Sequence, residues 1–285
     1  PPPWTADPIL NNWRFTNVYR ELDPGTEFIV RHLRAAPGAP LWDRLVNISA
    51  YRLGVSMSGM RALGFIECSS ATNHRITARL QETDRPFTGA YMVHNMMRRE
   101  PKAVVLGDVI RNHAKAAPML TKRLREAHER QEAWMMLREG LEGVGDFVSF
   151  QILVDLGYRG VAPELRPAVR DNDGFATPGP GGRRGLERLW PGLGKLPGEA
   201  NMVLAKMSLQ QHEALGRMLG GWAKGESPRR ISRANLQNCA CEWDKYYRAS
   251  TGTGKVRRRF DPRLAREADL SASGNGHGDQ LEVAL

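Results

Sequence analysis

Cysteine is scarce in this 285-residue sequence: Cys68, Cys239 and Cys241 are all there is, an odd number with no C-x-x-C pair. That excludes a disulfide framework and a cysteine-rich zinc site. No apolar run approaches the ~18–20 residues of a membrane helix. Pro1-Pro2-Pro3-Trp4 has neither the charged nor the apolar region of a secretory signal, so the expected compartment is a reducing cytoplasm. Sustained period-two alternation between hairpin turns is missing, which argues against strands. A nucleotide-binding P-loop is missing as well. Thr251-Gly252-Thr253-Gly254-Lys255-Val256 lacks both the required first glycine and the Ser/Thr after the lysine. A nucleotide-driven kinase therefore finds no support in the residues.

Positive charge is abundant. Lys and Arg number 41 against 31 Asp and Glu, a net charge of +10, in a chain otherwise of ordinary globular composition. The excess clusters at Arg98-Arg99, Lys122-Arg123-Arg125, Arg183-Arg184, Arg229-Arg230-Arg233, and Lys255 with Arg257 to Arg259. Arginine forks suit bidentate phosphate contacts, so the expected partner is a polyanion, most simply nucleic acid. A merely solvated basic surface is the alternative.

The periodicity is helical nearly throughout, and the expected fold class is all-α. Asp7-Pro8 reads as an N-cap opening a segment to about Leu22, and Asp23-Pro24-Gly25 as a break before Thr26–Leu33. Further helices are expected over Leu41–Leu53, from a Ser70 cap to Leu80, over Lys102–Ala116, Met119–Gly140, Asp146–Leu156 and Glu199–Leu219, and from a Ser232 cap over Arg233–Ala249. Gly157 to Gly182 reads as a long functional loop, and Ser271 to Leu285 as a disordered tail.

Three segments carry chemistry. Leu141-Glu142-Gly143-Val144-Gly145 joins two helices, and its glycines permit a tight turn whose amides and following helix N-terminus suit a phosphate. It resembles the helix-hairpin-helix of DNA repair glycosylases, although Phe147 stands where bifunctional members carry a lysine nucleophile, and Asp146 sits beside the turn. Pro178-Gly179-Pro180-Gly181-Gly182-Arg183-Arg184 offers small residues and two arginines, which suits pyrophosphate; a flexible basic linker is the alternative. Arg14, Asn17 and Arg20 recur at helical spacing and are candidates for phosphate or a base edge, unless they form a salt-bridged surface stripe.

Asp7-Pro8-Ile9-Leu10, Arg14-Phe15-Thr16-Asn17-Val18-Tyr19-Arg20, Thr88-Gly89-Ala90-Tyr91-Met92, Gly143-Val144-Gly145-Asp146-Phe147, Gly179-Pro180-Gly181 with Arg184-Gly185-Leu186, and Cys241-Glu242-Trp243-Asp244-Lys245-Tyr246 follow one another in that order. This set resembles the α-glutamyl/putrescinyl thymine pyrophosphorylase clade, glycosylase-like helical proteins of bacteriophage thymine hypermodification; the helical domain of 5-hydroxymethyluracil DNA kinases is similar. The resemblance implies a helix-hairpin-helix, glycosylase-like domain over residues 4–250, with the hairpin at about 131–156. Residues 251–285 would form a basic, then disordered tail in a host cell's cytoplasm.

It further implies a transferase on DNA. An amine, such as an amino acid or putrescine, would displace pyrophosphate from 5-pyrophosphoryloxymethyl-deoxyuridine and leave a C–N bond. On that footing Asp155, Asp171 and Asp173 are candidate proton acceptors. Gly179, Gly181, Gly182, Arg183 and Arg184 would hold pyrophosphate, and Arg14, Asn17, Arg20, Gly143, Gly145 and Lys245 would contact DNA or the target base. No cofactor is certain; a divalent metal accompanying pyrophosphate is compatible, though no ligand cluster points to one. Other hypermodification enzymes are candidate partners. A DNA glycosylase for modified thymine, or a non-catalytic DNA-binding module, remains open.

Overall fold

A computed structural model of the chain describes residues 5–88, 99–194, 196–218, 231–254 and 256. Among these the structure is helical, with one isolated bridge between Val55 and Phe87. The chain divides into two compact units: Gly25–Thr177, and Pro1–Pro24 with Pro178–Leu285.

In the first unit, α2 (Pro24–Arg34), α3 (Leu41–Arg52), α4 (Met57–Leu63), α5 (Asn73–Glu82), α6 (Lys102–Glu126), α7 (Arg130–Gly140), α8 (Asp146–Leu156) and α9 (Pro167–Arg170) follow one another. The centre is α8, in which every residue from Ser149 to Leu156 is buried. A helix apolar all round cannot sit at a surface, so its neighbours α3, α7 and α9 cover it. Its one buried acid, Asp155, receives Arg52 of α3 through Nε and Nη2, both at 2.6 Å.

Several expectations shift here. The helix expected to break before Met119 runs unbroken through Pro118. An interior proline costs about 3 kcal/mol. Burial of Ala117, Leu120, Thr121 and Leu124 along the same helix offsets that cost. The α5 cap is Thr72 Oγ1, accepting from the Arg75 amide, and not Ser70. The 157–177 segment is no open loop: Val161, Ala162, Leu165, Val169 and Phe175 are buried. Phe175 packs 5.4 Å from Trp134, and the buried Arg130 guanidinium donates to the carbonyls of Val169 (2.7 Å) and Leu153 (3.2 Å).

The second unit holds α1 (Pro8–Asn12), a 3-10 turn at Arg20–Leu22, α10 (Pro180–Leu189), α11 (Pro197–Met218) and α12 (Arg233–Thr251). Asp7 caps α1 as expected, its Oδ1 accepting from the amides of Ile9 and Leu10. Its Oδ2 accepts from the Tyr246 hydroxyl at 2.6 Å, which ties α1 to α12. Ser232 caps α12 as expected. Helix does not continue from Asn12 to Leu22; residues 13–19 are irregular. Of the expected tail, 257–285 lie outside the described residues.

Helices α10 and α12 touch closely because α10 presents glycines. A Cβ on Gly185 would stand 1.9 Å from the Ala240 carbonyl oxygen, and one on Gly181 would stand 2.7 Å from Cys241 Sγ. Gly185→Ala is therefore expected to lower the thermal midpoint, at roughly 1–3 kcal/mol, the usual range for overpacking. Gly198→Ala, with open space around its Cβ, is the comparison. Equal melting of the two variants would contradict the close packing.

Candidate functional site: a glycine turn and an arginine cluster

The turn between α7 and α8 is built from below. Leu141 and Val144 are buried and anchor it, while Glu142, Gly143, Gly145 and Asp146 are exposed. Gly143 takes φ +68°, the left-handed region that glycine enters without strain. Gly145 does not: it is the α8 N-cap at φ −90°, ψ −175°, and a Cβ there would meet nothing within 4 Å. Two α6 side chains hold the turn. His113 Nε2 donates to the Glu142 carbonyl at 2.8 Å, and Asn112 Nδ2 donates to Glu142 Oε2 at 2.6 Å. Ser149 is buried and bonds back to the carbonyls of Gly145 and Asp146. Asp146, which would repel a phosphate, is paired with Arg138 at 2.5 Å. Gly143 and Gly145 thus remain exposed at the N-terminus of α8, while the Val144 amide donates to the Leu141 carbonyl at 3.3 Å.

The second feature lies on α10 and α12. Asp244 has no exposed surface, yet three guanidiniums reach it. Arg184 donates to Oδ2 through Nε (3.1 Å) and Nη2 (3.0 Å), Arg248 Nε donates to the same oxygen at 3.0 Å, and Arg188 Nη2 donates to Oδ1 at 3.2 Å. Burial alone would raise the carboxyl's pKa. The hydrogen bond and charge of Arg184, with the other two arginines, outweigh burial and hold it below its ordinary range.

A family model described as "5-hmdU DNA kinase, helical domain" matches residues 1–255. The chain belongs to this family. A relative, the 5-hmdU DNA kinase of Bacillus phage SP10, is 24% identical over 262 residues, which is 86% of this chain and 41% of the relative. The chain thus spans less than half the length of that curated relative. No solved structure matches. Family membership agrees with the broader of the two resemblances read from the motifs.

The candidate residues of this family member fall in unlike places. Asp155 is excluded as a proton acceptor, because it is fully buried and both oxygens are engaged by Arg52. Asp171 is exposed and Asp173 half-buried, in a turn where Asp171 Oδ1 accepts from the Asp173 amide. Gly182 faces Pro178 and Gln237, and Gly181 faces Cys241. These two pack α10 onto α12, and Gly179 is buried. Arg183 donates to the Gly194 carbonyl at 2.7 Å, whereas Arg184 joins the cluster on Asp244.

Arg14, Asn17 and Arg20 do not share a helical face, since 13–19 is irregular. Arg14 is exposed, Asn17 turns onto the Tyr19 amide, and Arg20 is buried with its amide on Asn235. Lys245 donates to the Arg14 carbonyl and lies 4.7 Å over the Phe15 ring, so it fastens the N-terminal strap. Among the described residues no three metal-ligating side chains gather. Burial pushes the Cys68 and Cys239 thiols up to about 12 and about 11, and Cys241 rises too, so none is a thiolate at neutral pH. Of the basic clusters, Arg98, Arg229, Arg230, Lys255 and Arg257–Arg259 lie outside the described residues. Sequence reasoning missed His113, Asn112, Arg188, Arg248 and the role of Asp244; the i, i+4 spacing of 184/188 and 244/248 was the available signal.

Two outcomes follow. Gly145→Val should cost at most about 1 kcal/mol of stability, as an N-cap change without a clash, yet lower duplex affinity roughly tenfold by blocking backbone approach. Wild-type affinity in a filter-binding or anisotropy titration would remove the turn from the interface. Burial, outweighing the Glu142 carbonyl and charge, pushes the His113 pKa down to about 4 from its ordinary 6.5. Because the unfolded chain binds that proton first, this histidine's contribution is intact above pH 6.5 and is lost as pH falls toward 4. His113→Gln should show a shallower fall of thermal midpoint across that window. A fall as steep as wild type would contradict the assignment.

Proposed function

We propose that the chain acts on 5-substituted thymine in phage DNA, as a transferase that displaces pyrophosphate with an amine. The observation that carries the reading is family membership over residues 1–255, joined to a net charge of +10.

In this reading the Gly143–Gly145 edge and the basic surface hold the DNA backbone without reading sequence. The 5-substituent faces the open major groove, so drawing the target nucleotide out of the stack serves to exclude water from the reacting carbon and to position it. The amine lone pair attacks the 5-methylene carbon, and the C–O bond breaks with its electron pair leaving on the diphosphate. The new C–N nitrogen then gives up a proton to a carboxylate. Asp171 and Asp173 are the remaining candidates for that acceptor. Arginine donors favour departure, because charge builds on the leaving oxygen mainly in the transition state. A divalent cation travelling with the diphosphate would belong to the substrate.

A second reading is favoured by one observation: the matched domain is the helical part of a longer kinase in Bacillus phage SP10. The chain would then be a non-catalytic module that delivers DNA to a separate active site. Incubating the chain with DNA carrying 5-pyrophosphoryloxymethyl-deoxyuridine and a mixture of amino acids and polyamines separates the two. Mass spectrometry of the released nucleosides should show an amine-substituted thymidine. Unchanged pyrophosphorylated nucleoside with DNA bound would favour the delivery module, and free modified base would favour a glycosylase.

A further inference from the structure

Three arginines on one carboxylate are more than a structural ion pair needs. One guanidinium neutralises a buried aspartate; here Arg184, Arg188 and Arg248 all use Asp244, so Arg184 and Arg188 stand beside a carboxylate that is already matched. Like charges held together cost energy unless an anion accompanies them. Each guanidinium has five N–H donors. Arg184 uses its Nε and Nη2 on Asp244 and Arg188 its Nη2, while their side chains stay 48% and 30% exposed.

The cluster is also held in place. Arg184 and Arg188 lie one helical turn apart on α10, and Asp244 and Arg248 one turn apart on α12. Gly181, Gly182 and Gly185 bring the two helices into close contact. The Arg188 guanidinium carbon lies over the Tyr247 ring, 4.0 Å from its centroid, a cation–π contact that restrains it. Tyr247 is 37% exposed, and Trp243, one turn earlier, is 39% exposed and stacks on Tyr246 at 5.8 Å. Flat aromatic faces beside fixed guanidiniums suit a nucleotide.

We infer that Arg184, Arg188 and Arg248, organised by the buried Asp244, form a receptor for a doubly charged phosphoryl group. Two exposed guanidiniums with several donors on a rigid frame match the three free oxygens of a terminal phosphate or diphosphate better than the two of a backbone phosphodiester. Arg184 and Arg188 supply the open donors, and Asp244 sets their spacing. The expected ligand in the reaction rests on the transferase reading above, but the site itself does not.

The test is calorimetric titration of the full chain with inorganic pyrophosphate, beside anisotropy titration with an unmodified duplex. The Arg184→Ala/Arg188→Ala double variant should weaken pyrophosphate binding at least tenfold, with Arg188→Lys intermediate because it keeps charge but not the fork. Lys206→Ala, an exposed cation of the same unit, should leave it unchanged. Thermal melts confirm that the variants are folded. Selective loss of pyrophosphate with duplex affinity retained assigns the site to a free or terminal diphosphate. Loss of both, with pyrophosphate competing against the duplex, assigns it to a backbone phosphate and overturns the preference for a dianion. Unchanged binding in the double variant, or an equal loss in Lys206→Ala, overturns the receptor altogether. If pyrophosphate binds as expected and no amine is transferred, the transferase reading fails and the receptor stands. Amine transfer at the wild-type rate by the double variant leaves the reading standing without the receptor.

Discussion

A carboxylate without exposed surface must be matched by donors, and in this chain that constraint shapes each of the two units. Asp244 is the more consequential case. Beside it α10 lies so close to α12 that only glycine fits at 185, and a Cβ at 181 or 182 would crowd Cys241 or Gln237. The three arginines are then drawn to one place from two helices. In the other unit Asp155 plays the same part, joining α8 to α3 through Arg52. Both acids are fixed by their partners, which suits them to hold structure together and leaves them ill suited to exchange protons.

The phosphate-facing features follow from that framework. The glycine turn is a surface edge of α8, the most buried helix of its unit, and its first carbonyl is held by His113 from α6. Rigid placement of backbone amides costs little when phosphate arrives, because few torsions are left to freeze. The same argument applies to guanidiniums stacked and hydrogen-bonded before any ligand binds. Under the proposed function such a domain would read charge and shape, and specificity for the modified base would come from what the 5-substituent carries.

Much of the fold was legible in the sequence wherever local signals agreed. Helix α8 occupies the expected Asp146–Leu156 because glycines stand at both ends of a mostly apolar run. Asp7-Pro8 and Ser232 cap their helices because nothing nearby competes for the same amides. Residues 13–19 misled: their helical spacing is overridden by contacts far along the chain, with Lys245 on the Arg14 carbonyl and Asn238 on Thr16. Thr72 wins over Ser70 as a cap because both side chains are competent and only the folded backbone selects one. The glycine-arginine segment was legible as special, but glycine that admits a phosphate and glycine that admits a helix look the same in one dimension. The arginine cluster spans residues 184 to 248, and no local pattern joins those two ends.

The central claim is that this helical domain recognises a phosphorylated substituent on thymine in DNA. Its most direct test is the affinity of the full chain for three otherwise identical duplexes, carrying thymine, 5-hydroxymethyluracil or 5-pyrophosphoryloxymethyluracil at one position. The pyrophosphorylated duplex should bind at least tenfold tighter than the other two, with Arg184→Ala removing most of that preference. Equal affinity for all three duplexes would contradict it.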